Sequence, residues 1–163
     1  MGPLSAKGQR GSFLFKQSWL GRINFAGLMA RALGIDYGLK RTGIAVTDPL
    51  RILVQVLAHL DTNDLDHFID TYLIKEEVDL IVFGSPYHRD GTPTELNLQI
   101  QTVVKKMALR YPLIKFDFQN EHLTSVEAMK TLVKRGTPLK KRTKAAVDEM
   151  SAVLILQKYL NHY

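Results

Sequence analysis

From residue 31 onward, short apolar runs alternate with polar breaks, and the spacing inside the runs changes part-way along the chain. Residues 31–36 form an apolar run of strand length. Gly38-Leu39-Lys40-Arg41 reads as a turn, residues 42–47 as a second strand, and Asp48-Pro49 as another turn. Residues 52–60 read as a third strand, with Ile52, Val54, Val56 and Ala58 on one face. Strands joined by such short links predict an antiparallel meander. The period then lengthens. Leu65, Phe68, Ile69, Tyr72 and Leu73 have helical spacing, and Asp61-Thr62-Asn63-Asp64 offers cap candidates. Residues 79–84 are a short apolar run that reads as a buried parallel strand. A loop follows, and Leu96, Ile100, Val103 and Met107 mark a second helix that ends before Pro112. Residues 113–118 are a fifth strand. Val126, Met129, Leu132 and Val133 mark a third helix, stopped by Gly136 and Pro138. Residues 144–159 form the last helix, with Met150, Val153, Leu154 and Leu160 on its core side. The order β-β-β-α-β-α-β-α-α predicts an α/β domain. It would hold one mixed five-stranded sheet, three antiparallel strands followed by two parallel ones, flanked by helices.

Residues 1–28 do not share this pattern. Phe13, Phe15, Trp19 and Phe25 are scattered among Gly, Ser and basic residues, whereas Met29-Ala30-Arg31 leads directly into a strand. An expression extension or an over-called start codon fits this segment better than a targeting peptide, because no amphipathic period appears. The expected fold therefore occupies residues 29–163. The formal net charge of +6 is uneven. Residues 1–28 carry four basic residues and no acid, so the body is close to balanced. Within the body, Lys134, Arg135, Lys140, Lys141, Arg142 and Lys144 form a basic run without an acid between them. Such a run is a solvated loop or a phosphate-contacting segment. There is no cysteine, which excludes thiolate metal sites and disulfides and fits a reducing cytoplasm. No apolar run approaches the roughly 18 residues that cross a bilayer, so no membrane partner is expected.

Three acids stand where a carboxylate is costly unless something binds it. Asp36 ends an apolar strand, and Gly38 and Gly43, on either side of the turn that follows, would let a phosphate approach the backbone. Its bland alternative is an ion pair with Lys40 or Arg41. Glu121 follows the fifth strand, and a polar cluster at a strand's carboxyl end is where open α/β sheets hold ligands. A capping box explains Thr124 and Glu127 but leaves Glu121 without a structural reason. Asp148 shares a helix with the small residues Ser151 and Ala152, and should point over the sheet toward Asp36. If these three meet, oxygen ligands of this kind suit Mg²⁺ or Mn²⁺, which activate water against phosphodiesters. Gly84-Ser85-Pro86 and Asp90-Gly91 bracket a loop on the same rim. His122 could be a base, a phosphate contact or an exposed polar residue, and Lys40 a phosphate contact. His59, His67, His88 and His162 lack metal-ligand spacing and read as surface or satisfied residues.

Four segments in order make a recognisable set. They are Gly34-Ile35-Asp36-Tyr37-Gly38-x-Lys40-x-x-Gly43-x-Ala45-x-x-Asp48, then Gly84-x-Pro86 with Asp90-Gly91, then Glu121-x-Leu123-Thr124-Ser125-x-Glu127-Ala128, then Lys144-x-x-x-Asp148-x-x-Ser151-Ala152. This set resembles the YqgF family of ribonuclease-H-like proteins. That family is described as Holliday junction resolvases and as nucleases that mature the precursor of bacterial small-subunit ribosomal RNA. The resemblance implies an RNase-H-like fold and metal-dependent cleavage of nucleic acid, with Asp36, Glu121 and Asp148 matching the acidic triad. The chain departs from the family pattern, Asp-Glu-Arg, at Asn120 and His122. The arginine's phosphate contact would then fall to a protonated His122.

The expected function is a two-metal nuclease. Its catalytic and metal-binding residues would be Asp36, Glu121 and Asp148. Lys40, His122, Lys140, Lys141, Arg142 and Lys144 would contact substrate. The expected substrate is precursor ribosomal RNA, encountered free or in ribosomal particles, or else branched DNA. The chain would act as a monomer or a homodimer. Two rivals remain: a non-catalytic RNA-binding module on the same scaffold, and an ATP-using phosphotransferase, whose architecture ordinarily needs two such domains.

Overall fold

The central strand separates large from small side chains. On β1 (Arg31–Tyr37), Leu33 and Ile35 point to one face, while Ala32, Gly34 and Asp36 point to the other. The computed structural model from which this is read describes residues 30–120 and 124–161. The remaining strands are β2 (Arg41–Thr47), β3 (Val54–Asp61), β4 (Val78–Ser85) and β5 (Lys115–Asn120). The helices are α1 (Leu65–Lys75), α2 (Glu95–Arg110), α3 (Thr124–Lys134) and α4 (Lys144–Tyr159), with short 3₁₀ turns at Thr62–Asp64 and Leu139–Lys141. The strands lie in the order β3-β2-β1-β4-β5. β1 pairs antiparallel with β2 and β2 with β3, whereas β4 pairs parallel with both β1 and β5. This is the mixed sheet that the sequence predicts.

Leu33, Ile35, Ile44, Val46, Ile81 and Phe83 form the floor of one core, closed by Leu65, Ile69 and Leu73 of α1 and by Ile100, Val104 and Met107 of α2. Burying each such side chain contributes about 1.5–3 kcal/mol. The other face is lined by Ala32, Ala45, Leu80 and Val82 and covered by α3 and α4. Here small residues let a helix backbone lie almost on the sheet. A Cβ on Gly34 would stand 2.7 Å from Leu156 Cβ and 2.8 Å from the Ala152 carbonyl oxygen. A Cβ on Gly43 would stand 2.4 Å from the Asp148 carbonyl oxygen. The two glycines therefore set the height of α4. They hold no space for a ligand, contrary to the expectation for Gly43. Gly38 likewise closes the β1–β2 turn on the Arg41 carbonyl.

Three local expectations need correction. β3 begins at Val54, because the Asp48 carboxylate accepts the backbone N–H groups of Leu50, Ile52 and Leu53 at 3.1, 2.8 and 2.6 Å and holds residues 48–53 as a loop. Ala58 does not share a face with Val54 and Val56. The register runs Ile44↔Ala58 and then Ala45↔Val56, so Leu57 is an extra residue, a β-bulge that turns the strand over. Finally, Asp64 makes no side-chain cap for α1, and Thr62 Oγ1 reaches the Gly38 carbonyl at 2.6 Å instead. Thr94 caps α2 and Thr143 caps α4, accepting N–H groups from Asn97 and Ala146. The side chain of Thr124 is outside the described residues. Glu127 is structural by another route, as an ion pair with Lys158 that ties α3 to α4.

Candidate active site

The carboxyl ends of the parallel strands β1, β4 and β5 lie side by side. Ile35 pairs with Phe83, Gly84 with Gln119 and Ser85 with Asn120. Asp36 is the next residue on β1, and Glu121 is the next after Asn120. Glu121, His122 and Leu123 lie outside the described residues. This edge of an α/β sheet is where such folds place ligands.

Asp36 pairs in register with Gly43, and Gly43 with His59. Residues paired across strands point to the same side, so Asp36 and His59 flank a position that has no side chain. The backbone of α4 at Asp148 fills that gap. Asp148 thus stands over the middle of the row, on the face where Asp36 points. Neither Lys40 nor Arg41 forms an ion pair with Asp36 among the described residues. Burial, and then the nearby Asp148 carboxylate, push the Asp36 pKa up to about 7. Lys144 and the Ser151 hydroxyl act in the opposite direction but do not cancel the rise.

Asp148 has two neighbours. Lys144, one helical turn earlier, places Nζ 3.4 Å from Oδ1. His59 places Nε2 3.6 Å from Oδ2, beyond hydrogen-bond reach. His59 is therefore neither a surface residue nor a satisfied one: its Nε2 is closed off from solvent and has no hydrogen-bond partner. Spacing along the chain could not reveal this, because the signal is register across three strands. The Ser151 hydroxyl is also buried and completes no hydrogen bond of ordinary geometry. Among the described residues, no three His, Cys, Asp or Glu side chains are grouped to enclose a metal ion.

The basic run divides. Lys140 and Lys141 are exposed in the 3₁₀ turn that precedes α4, and Lys40 is exposed in the β1–β2 turn. Arg142 turns inward, donating Nε to the Thr137 carbonyl at 2.8 Å, and Lys144 is engaged on Asp148. The loop after β4 is a compact turn. The Asp90 carboxylate accepts from Thr92, and Gly91 has φ +83°, a conformation that favours glycine. Asn97 Nδ2 binds Ser85 Oγ at 2.8 Å and the Pro86 carbonyl at 3.1 Å, which fixes this loop to the start of α2.

A mixed sheet of this order, carrying facing carboxylates on β1 and on the helix that crosses it, defines a ribonuclease-H-like scaffold. The solved structure of T. thermophilus RuvC in complex with Holliday junction substrate shares the fold, with a TM-score of 0.50 and 10% identity over 82% of this chain and 96% of that one. The model of the family described as RuvX, Holliday junction resolvase, matches residues 30–162, and the chain belongs to this family. It is 41% identical over 135 residues to a Porphyromonas gingivalis protein named "Putative pre-16S rRNA nuclease", covering 82% of this chain and 98% of that protein. A Christiangramia forsetii protein of the same name is 38% identical over 133 residues, covering 81% and 98% respectively. The family read from the four motifs is thereby established. No described helix is long and apolar enough to cross a membrane.

Proposed function

We propose that the chain is a divalent-metal-dependent nuclease, and that its substrate is the precursor of 16S ribosomal RNA, trimmed at the 5′ end. The observation that carries the metal requirement is the facing of Asp36 and Asp148. Burial and mutual repulsion raise the cost of ionising Asp36. The donor set fits a cation. It combines a carboxylate pair with two buried polar atoms beside it that complete no hydrogen bond of ordinary geometry, Ser151 Oγ and His59 Nε2. Asp36, Asp148 and Glu121 would hold Mg²⁺ or Mn²⁺. The bound cation supplies Lewis acidity toward the phosphate and a strong nucleophile at neutral pH.

The chain's own groups do the rest. Lys144 lies against Asp148 Oδ1 at 3.4 Å and would be free to turn toward a phosphate if a cation occupied that carboxylate. Lys140, Lys141 and Lys40 lie on exposed turns, where they can neutralise backbone phosphates. His122 would contact phosphate in place of the family's arginine. Arg142 instead braces the turn that presents Lys140 and Lys141. The names of the relatives favour ribosomal RNA over a DNA junction.

Cleavage of a 16S precursor and of a four-way DNA junction, each with and without Mn²⁺, tests this reading. Mn²⁺-dependent cutting of the RNA at its 5′ side is the expected result. Cutting of the junction alone would move the substrate to DNA. Tight, salt-sensitive RNA binding without cutting in any divalent cation would overturn the enzyme reading in favour of a binding module. Asn120 and His122 make that the natural rival.

A further inference from the structure

The two elements that carry the facing carboxylates each have the same short run of residues beside them. Leu39-Lys40-Arg41 follows Asp36 in the β1–β2 turn, and Leu139-Lys140-Lys141 precedes α4 and Asp148. Leu39 is 69% exposed and Leu139 79%, and the two basic residues after each are exposed as well. Residues 37–47 and 128–147 contain no acid. An exposed leucine alone means little. Leu109, for instance, is 87% exposed at the end of α2, but it lies at the opposite edge of the sheet, where β5 begins.

Position sets Leu39 and Leu139 apart. Gly34 packs against Ala152 and Leu156 of α4, and Gly43, the register partner of Asp36, packs against Asp148. The helix therefore runs antiparallel to β1, and its N-terminal end lies toward the carboxyl end of that strand, with the 3₁₀ turn leading into it. The β1–β2 turn leaves the sheet at the same edge. One leucine thus belongs to the sheet layer and the other to the helix layer above it. Both tips are braced by hydrogen bonds to the backbone. In the first, Gly38 N–H donates to the Arg41 carbonyl at 3.1 Å, Thr62 Oγ1 to the Gly38 carbonyl at 2.6 Å and Thr62 N–H to the Lys40 carbonyl at 3.1 Å. In the second, Lys141 N–H donates to the Pro138 carbonyl at 2.8 Å and Arg142 N–H to the Leu139 carbonyl at 3.1 Å, while Arg142 Nε holds the Thr137 carbonyl. A tip already ordered costs less to immobilise on binding.

We propose that Leu39 and Leu139 are apolar wedges that enter the base stack of an RNA strand, while the basic residues beside them hold its phosphates. This rests on the nuclease reading above and narrows its substrate to a strand whose bases can be parted, rather than an undisturbed double helix. Each tip sets an apolar side chain next to two cations, and a nucleotide sets an apolar base face next to a phosphate. Apolar side chains inserted between bases unstack them, and unpaired stretches are where RNA gives up its bases most readily. A strand parted at the edge that carries Asp36 and Asp148 would have its backbone turned toward the carboxylates.

Binding of the full chain to a short single-stranded oligoribonucleotide, with 2-aminopurine set in a run of adenosines, tests the proposal. Divalent cations are left out, so that binding is read without cleavage. The fluorescence of 2-aminopurine rises when it leaves the stack, and the wild type should cause that rise. Leu39→Ser and Leu139→Ser should each weaken binding about tenfold and suppress the rise, with the salt dependence unchanged. Lys40→Gln and Lys140→Gln should each reduce the slope of log affinity against log salt by about 0.7 and leave the fluorescence of the saturated complex as in the wild type. Both leucines stand in solvent, so their variants should fold, which circular dichroism verifies. Wild-type affinity and fluorescence in the double variant Leu39→Ser/Leu139→Ser overturn the wedges and leave the nuclease reading standing. Weakened binding with an undiminished fluorescence rise overturns them equally. A wild type that parts the bases yet cuts no RNA in any divalent cation keeps the wedges and overturns the nuclease reading. A wild type that binds no RNA overturns both.

Discussion

Helix α4 crosses one face of the sheet and meets an aspartate near each end, and the two aspartates are treated in opposite ways. Near its C-terminal end lies Asp117 of β5. Tyr159 donates to it at 2.7 Å, Lys115 stands 2.9 Å away, and the Phe118 backbone N–H donates at 2.9 Å. These partners hold its pKa at about 2. Near the N-terminal end lies Asp36, with a second carboxylate opposite and a pKa pushed up to about 7. The same residue type, on the same face and under the same helix, is satisfied by protein partners at one end and set against a second carboxylate at the other. A fold with the means to neutralise Asp117 has not used them on Asp36. On the proposed reading, this contrast would separate a structural carboxylate from one kept for a ligand.

The largest effect should come from removing the unsatisfied charges. Asp36→Asn, and separately Asp148→Asn, should keep the fold by circular dichroism and lose metal-dependent cleavage by about a hundredfold or more. Wild-type turnover by either would erase the contrast. Next comes the spacing that brings the pair together. Gly43→Ala drives a methyl group into the Asp148 backbone. It should cost about 1–3 kcal/mol in denaturant unfolding and displace Asp148, so that Mn²⁺ affinity falls with stability.

The pH dependence of the metal-free protein sharpens the comparison further. A carboxyl whose pKa is higher folded than unfolded takes up a proton on folding, so stability from Asp36 is full below about pH 4 and lost as pH rises toward about 7. Asp117 runs the other way, its contribution present above about pH 4 and lost as pH falls toward about 2. Asp36→Asn should therefore raise the melting temperature at pH 7.5 relative to wild type and leave it little changed at pH 4. Added Mn²⁺ should stabilise the wild type at pH 7.5 and not the variant. The smallest effect belongs to the satisfied end. Tyr159→Phe should cost about 1 kcal/mol and leave cleavage unchanged.

The architecture was legible because each element carries a strong local pattern. Short apolar runs bounded by turn residues mark β1 and β4, and three- and four-residue spacing marks the helices. The acids at 36 and 148 were legible as misfits against those patterns. What sequence could not convey depends on partners distant along the chain. The bulge at Leu57 shows only in the register with β2, yet it decides the direction of Ala58. Gly43 looked like room for a phosphate because nothing local indicates that α4 lies against it. His59 has no neighbour at ligand spacing in sequence, and it meets Asp148 only when β3, β2 and α4 are assembled. Arg142 and Lys144 shared a basic run with Lys140 and Lys141, but the 3₁₀ turn directs the four of them to different places.

The carboxylate pair joins the first and the last of the described elements, β1 and α4. Synthesis completes β1 before α4, so a growing chain that has folded only its meander would hold half of the proposed site. That site would close only once α4 has settled over Gly34 and Gly43.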